Sequence, residues 1–107
     1  IPQQPTRIGS DVWIGSHVKI SAGRGLNIGH GAILGTRSLV QKDCEPFGIY
    51  VGTPARLVRF RFADDMIAQL LDLAWWDWRL DKIMRNKDFF AIDLTQYRGR
   101  LSDEVKP

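Results

Sequence analysis

The sequence predicts a β-solenoid, a chain wound into coils of short flat strands, followed by an α-helical tail. Aliphatic residues recur at spacings of 6, 6, 8, 6 and 6, at Ile8, Ile14, Ile20, Ile28, Leu34 and Val40. An amphipathic helix repeats every ~3.6 residues and a half-buried strand every ~2 residues, so a period of six fits neither. It is typical of coils in which a strand and a corner recur and the neighbouring coil covers each apolar row. We therefore assign residues 1–59 to the coils and their exit, and residues 60–107 to the helical tail.

Glycine follows four of these aliphatic residues directly, at Gly9, Gly15, Gly29 and Gly35. Glycine suits a corner where the backbone takes positive φ or where two coils approach closely. The single spacing of eight comes from two extra residues within residues 21–25. We interpret them as a loop that bulges from one corner and either lines a binding site or is a neutral surface feature. At three hexapeptides per coil, residues 8–43 make about two coils.

The repeat ends in residues 44–54, which are rich in proline and glycine. Residues 57–62 alternate apolar and basic side chains, which predicts an edge strand or an extended arm. From residue 63 the spacing becomes helical, with an apolar stripe at Ala63, Ile67, Leu70, Leu71 and Ala74. A second short helix is predicted around residues 80–84.

Composition and charge narrow the class of protein. The 107 residues suit one domain, and no apolar run approaches the ~20 residues of a membrane span. We expect a cytoplasmic protein with no membrane partner and no signal peptide. Cys44 is the one cysteine, which excludes an intrachain disulfide and a cysteine metal site. Residues 1–61 carry a net charge of +5 and residues 62–107 a net charge of −2. The basic half indicates an anionic ligand, and the absence of a nucleic-acid motif argues against nucleic acid.

These residues resemble the hexapeptide-repeat acetyltransferases, which fold as left-handed parallel β-helices. Residues 12–18 (VWIGSHV) resemble the galactoside and maltose branch, and residues 40–43 (VQKD) and 51–56 (VGTPAR) are similar across the family. Residues 60–78, with three tryptophans at the end, resemble the xenobiotic branch of type B chloramphenicol and streptogramin acetyltransferases. The resemblance implies a homotrimer with acetyl-CoA between subunits and no metal. It also implies acetyl transfer to a hydroxyl of a sugar, a polysaccharide unit or an antibiotic-like acceptor.

The resemblance also indicates where CoA binds. We predict seven cofactor-binding residues: Trp13, Ser16, Thr36, Gln41, Lys42, Arg56 and Arg59. The three cations among them suit the phosphates of CoA, because Lys and Arg recognise phosphate well. Ser16 and Thr36 align with positions that hydrogen-bond the pantetheine arm, and the backbone of Gln41 serves where the family usually has Thr. Trp13 is interpreted as a wall of the cleft or as trimer packing.

No catalytic residue is assigned within the chain. A hydroxyl attacks a thioester only after a base takes its proton. The resemblance implies that this base is a histidine upstream of Ile1, so we expect the C-terminal, CoA-binding portion of a longer enzyme. His17 and His30 are interpreted as surface or interface residues. The alternative to an enzyme portion is a non-catalytic trimerisation or scaffold module.

Overall fold

The computed structural model describes residues 3–107 of the chain. The chain divides into two compact units, the first ending at Arg61 and the second running from Phe62 to Pro107. The first unit contains the coils and their exit. The second unit contains the helices.

Six two-residue strands build the coils: β1 (Arg7–Ile8), β2 (Trp13–Ile14), β3 (Lys19–Ile20), β4 (Asn27–Ile28), β5 (Ile33–Leu34) and β6 (Leu39–Val40). Each strand of the first coil pairs in parallel with the strand one coil later, β1 with β4, β2 with β5 and β3 with β6. This pairing confirms the six-residue repeat as three faces of stacked parallel strands. Paired residues are 20 positions apart, as in Arg7 and Asn27, because residues 21–25 hold the two extra residues.

The exit of the coils continues one of the three faces. Strand β7 (Gly48–Gly52) adds in parallel to β5, and β8 (Ala55–Phe60) returns antiparallel to β7. The resulting four-stranded sheet has the order β2-β5-β7-β8. Of the two alternatives predicted for residues 57–62, the structure shows the edge strand, which spans Ala55–Phe60.

The core lies inside the second coil. Ile28 is 2% exposed and lies between β1 and a bridge to Cys44, and Leu34 is fully buried between β2 and β7. Their counterparts in the first coil, Ile8 and Ile14, are 49% and 43% exposed. The first coil therefore presents a half-open apolar edge, whereas the second coil carries most of the apolar burial that stabilises the unit.

The corner glycines are required by close approach between coils. A Cβ at Gly29 would lie 2.5 Å from the backbone nitrogen of Pro46, and one at Gly15 would lie 2.8 Å from that of Thr36. Positive φ is found two residues beyond these four glycines, at Asp11, His17, Gly31 and Arg37. Of the two predicted reasons for these glycines, close approach is confirmed and positive φ is wrong.

Arg61 ties the exit to one column of corners. Asp11, Gly31 and Phe47 occupy the same corner on successive coils. The Arg61 guanidinium lies 3.6 Å from the Asp11 carboxylate, donates a 2.9 Å hydrogen bond to the Gly31 carbonyl and stands 5.6 Å from the centre of the Phe47 ring. One side chain therefore links three levels of the coil.

The second unit contains two α-helices, α1 (Asp64–Leu73) and α2 (Leu80–Arg85), and three 3-10 helices at Trp75–Asp77, Phe89–Ala91 and Leu101–Glu104. In α1 the buried residues are Met66 and Leu70, whereas Leu71 is exposed. Of the predicted stripe, Leu70 is buried and Ile67 and Ala74 are partly buried, whereas Ala63 and Leu71 are exposed. The stripe is therefore confirmed in part, and it leaves out Met66.

A polar residue fixes the end of the second unit. Asn86 is 2% exposed, donates hydrogen bonds to the carbonyls of Lys82 and Lys106, and accepts one from the Lys106 backbone at 2.7 Å. All of its amide atoms are therefore satisfied, as burial requires. Neither α-helix of the described chain has the length and hydrophobicity of a membrane span.

Candidate functional site

Three of the predicted site residues meet where the coils give way to the exit hairpin. Gln41, Lys42 and Arg56 line a cavity of about 220 Å³. Gln41 and Lys42 directly follow β6, and β8 returns Arg56 beside them. The cavity is smaller than the ~300 Å³ at which pockets for whole small molecules begin. It is suited to one end of a longer ligand.

The cations of this corner have no ion-pair partner in the part of the chain that the structure describes. In residues 3–107, the ion pairs involve Arg61, Arg79 and Arg85, and none includes Lys42 or Arg56. Asp43 also lines the cavity, but its Oδ1 accepts a 2.8 Å hydrogen bond from the Asn27 backbone. The carboxylate is thereby held toward the neighbouring coil. Two exposed positive charges remain available to an external anion.

Ser16 and Thr36 lie on adjacent coils at another corner, two residues beyond the paired residues Ile14 and Leu34. Both residues are exposed. The Ser16 carbonyl accepts a 2.8 Å hydrogen bond from the backbone of Arg37, and Thr53 Oγ1 donates to the Arg37 carbonyl at 3.3 Å. These contacts join the corner to the exit segment that leads to Arg56.

Trp13 and Arg59 lie at opposite edges of the four-stranded sheet. The register runs from Trp13 through Ile33 and Ile49 to Arg59. At ~4.8 Å per strand, three strand spacings separate them by about 14 Å. Trp13 is 70% exposed. Within one chain, the structure therefore does not bring these two predicted site residues together.

The two histidines lie at corners of the coils. His30 Nδ1 accepts a 2.8 Å hydrogen bond from the Ser10 backbone, so this nitrogen is used in joining two coils. His17 is an exposed corner residue with φ of +57°. Across residues 3–107, no three His, Cys, Asp or Glu side chains group closely enough to hold a metal ion.

One cation near the cavity, Arg24, is not among the predicted site residues. Arg24 Nη1 lies 3.4 Å from the carbonyl oxygen of Gln41. The irregular spacing marks the loop that carries Arg24, but nothing in the spacing shows which way the loop projects.

Cys44 is a buried wall of the cavity. It is 4% exposed, and its thiol lies 3.8 Å from the Lys42 carbonyl. Burial, with a smaller contribution from the charge of Asp43, raises the pKa of the Cys44 thiol from 9.0 to about 11. Burial also raises the pKa of Tyr50, whose hydroxyl accepts a hydrogen bond from the Glu45 backbone.

This thiol should resist alkylation in the folded protein. Because the pKa of Cys44 is about 11 and not 9.0, the thiolate fraction at pH 8 is lower by about 100-fold. The thiolate is the reactive form. We expect iodoacetamide to modify Cys44 slowly in buffer and rapidly in denaturant, as followed by mass spectrometry. Rapid native-state modification at pH 8 would show that the thiol is accessible and ionised.

The chain is similar to known acetyltransferases in sequence and in fold. No family model matches the chain. Chloramphenicol acetyltransferase of Escherichia coli is 52% identical over 86 residues, which cover 80% of this chain and 40% of that protein. A probable macrolide acetyltransferase of Lysinibacillus sphaericus is 47% identical over 88 residues, covering 82% and 48%. A hexapeptide-repeat acetyltransferase of Vibrio cholerae, solved with acetyl-CoA, superimposes with a TM-score of 0.50 and 38% identity, covering 53% of this chain and 30% of that one.

The chain thus spans less than half the length of these curated relatives. The structural match covers about half of this chain, and the sequence match covers most of it. Sequence and fold together identify the chain as homologous to a part of the hexapeptide-repeat acetyltransferases, with chloramphenicol and macrolide acetyltransferases among its relatives.

Proposed function

We propose that this chain is the CoA-binding portion of an acetyl-CoA-dependent O-acetyltransferase whose coils are left-handed and whose assembly is a homotrimer. The observation that carries the proposal is the cavity at Gln41, with the unpaired cations Lys42 and Arg56 on its rim. CoA carries several phosphate charges at one end, and charge-assisted hydrogen bonds from Lys and Arg are the usual way to hold them. The small cavity suits that end of the molecule.

The pantetheine arm of CoA has two amides, which suit the backbone edge at Ser16 and Thr36. An extended chain can pair with exposed main-chain groups much as an added strand does. Contacts of Thr53 and Arg37 connect this corner to the exit segment. The proposed path therefore runs from the cation-rimmed cavity toward the corner between the faces containing β2 and β3.

Two subunits would complete the proposed site. Trp13 and Arg59 are about 14 Å apart within one chain, too far to contact one small group. A cleft between neighbouring copies lets Trp13 of one subunit and Arg59 of another face the same ligand. The row of Trp13, which is exposed, and Ile33 and Ile49, which are partly exposed, supplies an apolar surface for such packing.

The chemistry needs a base in addition to these residues. The base takes the proton of the acceptor hydroxyl, and the oxygen attacks the thioester carbonyl. The C–S bond then breaks, the acetyl group stays on the acceptor oxygen, and CoA leaves as a thiolate that takes up the proton. The engaged Nδ1 of His30 argues against its use as that base. The proposed acceptor is a hydroxyl of a sugar, a polysaccharide unit or an antibiotic-like molecule.

Calorimetric titration of the chain with CoA tests the proposal. We expect saturable binding that weakens about 10-fold or more in Lys42→Gln and in Arg56→Gln, because a hydrogen bond to a charged group contributes roughly 1.5–3 kcal/mol. Lys87→Gln, which removes an exposed positive charge from the second unit, is the charge-matched control. Absence of saturable binding at millimolar CoA would favour the scaffold alternative, and a monomer in light scattering would contradict the shared cleft.

A further inference from the structure

The two-residue insertion places a charged side chain beside the proposed CoA site. Arg24 stands between Gly23 and Gly25, whose φ angles are +81° and +71°. These left-handed conformations turn the chain sharply on both sides of Arg24, and glycine adopts them without steric penalty. Backbone bridges to Gln4 hold the loop against the start of the first coil. The loop is therefore a defined turn with an exposed arginine at its centre.

The Arg24 side chain points at Gln41, one of the residues that line the cavity. Its Nη1 approaches the Gln41 carbonyl at 3.4 Å, across 17 positions of sequence. Gln41 is adjacent to Lys42 and lines the same cavity as Arg56. Three cations from separate parts of the chain thus lie at one corner.

The Arg24 guanidinium has N–H donors that no described hydrogen bond uses. Arginine offers five N–H donors in a planar fork, and its described side-chain bond is one long contact with an exposed carbonyl. No carboxylate of residues 3–107 lies within ion-pair distance of Arg24. A planar fork with free donors matches the oxygen geometry of a phosphate group better than that of an uncharged ligand.

We propose that Arg24 is a further phosphate-binding residue of this site, supplied by the insertion in the repeat. The inference rests on the proposed function, since its ligand is a phosphate of CoA. Arg24 would act with Lys42 and Arg56 on the phosphate-bearing end of CoA and leave the pantetheine arm untouched. It would strengthen both the affinity for CoA and the dependence of that affinity on salt concentration.

The test compares CoA titrations of the wild-type chain with Arg24→Gln, Arg24→Lys and the charge-matched control Lys87→Gln. We expect Arg24→Gln to weaken CoA binding by about 5- to 20-fold, as loss of a charge-assisted contact does. Arg24→Lys should recover part of the affinity because it keeps the charge without the fork. The affinity of Arg24→Gln should also fall less steeply than that of the wild type as salt is raised.

The outcomes separate this inference from the proposed function. If Lys42→Gln and Arg56→Gln weaken binding while Arg24→Gln does not, the role of Arg24 is overturned and the CoA site stands. Equal weakening by Arg24→Gln and Lys87→Gln would reduce the effect to net charge and also overturn it. If the wild-type chain does not bind CoA, the proposed function fails and the inference fails with it.

Discussion

Alanine at Gly31 is expected to lower the free energy of unfolding of the first unit by about 2–5 kcal/mol. The backbone φ of Gly31 is +70°, a left-handed conformation that costs a residue with a Cβ about 1–2 kcal/mol. The new Cβ would also overlap the Phe47 ring, which is 2% exposed and cannot move aside freely. Overpacking of this kind adds about 1–3 kcal/mol. Chemical denaturation measures the total.

Gly25→Ala is the matched control for the backbone contribution. Gly25 has almost the same φ, +71°, but a Cβ there would meet the Cβ of the exposed Gln4 side chain at 3.0 Å, and no buried ring. We expect a loss of about 1–2 kcal/mol, from backbone strain alone. Equal losses in the two variants would mean that the contact with Phe47 contributes nothing, which would contradict tight packing between Gly31 and the Phe47 ring.

The coils could be predicted from sequence because their six-residue period differs from the periods of a helix and of an ordinary strand. Neither a helix nor an ordinary strand places aliphatic residues six apart, so Ile8 to Val40 sufficed to indicate stacked strands. The conformations of the corners could not be predicted in the same way. Asp11, His17 and Arg37 adopt positive φ although none is glycine, because stacking of the coils fixes the backbone whatever residue stands at the corner.

The residues of the proposed site could be named from the sequence, but their arrangement could not. Lys42 and Arg56 are 14 positions apart in the sequence, and only the β7–β8 hairpin brings them to one cavity. The position of Arg24 depends on how the inserted loop folds, which no residue pattern encodes. Trp13 and Arg59, in contrast, are separated by the width of a sheet. That separation follows from strand order, which the spacing of residues does not reveal.

Replacing Ile28 and Ile8 by alanine, one at a time, tests the stacking of the coils. The two residues are partners in one parallel ladder and are both isoleucines, but Ile28 is 2% exposed and Ile8 is 49% exposed. Ile28→Ala should lower the free energy of unfolding by about 2–5 kcal/mol, as expected for a fully buried aliphatic residue. Ile8→Ala should cost about 1 kcal/mol, because roughly half of its side chain is already in contact with water. If denaturation shows equal losses, Ile8 is covered in solution by another surface, and the half-open edge of the first coil does not describe the protein as it folds.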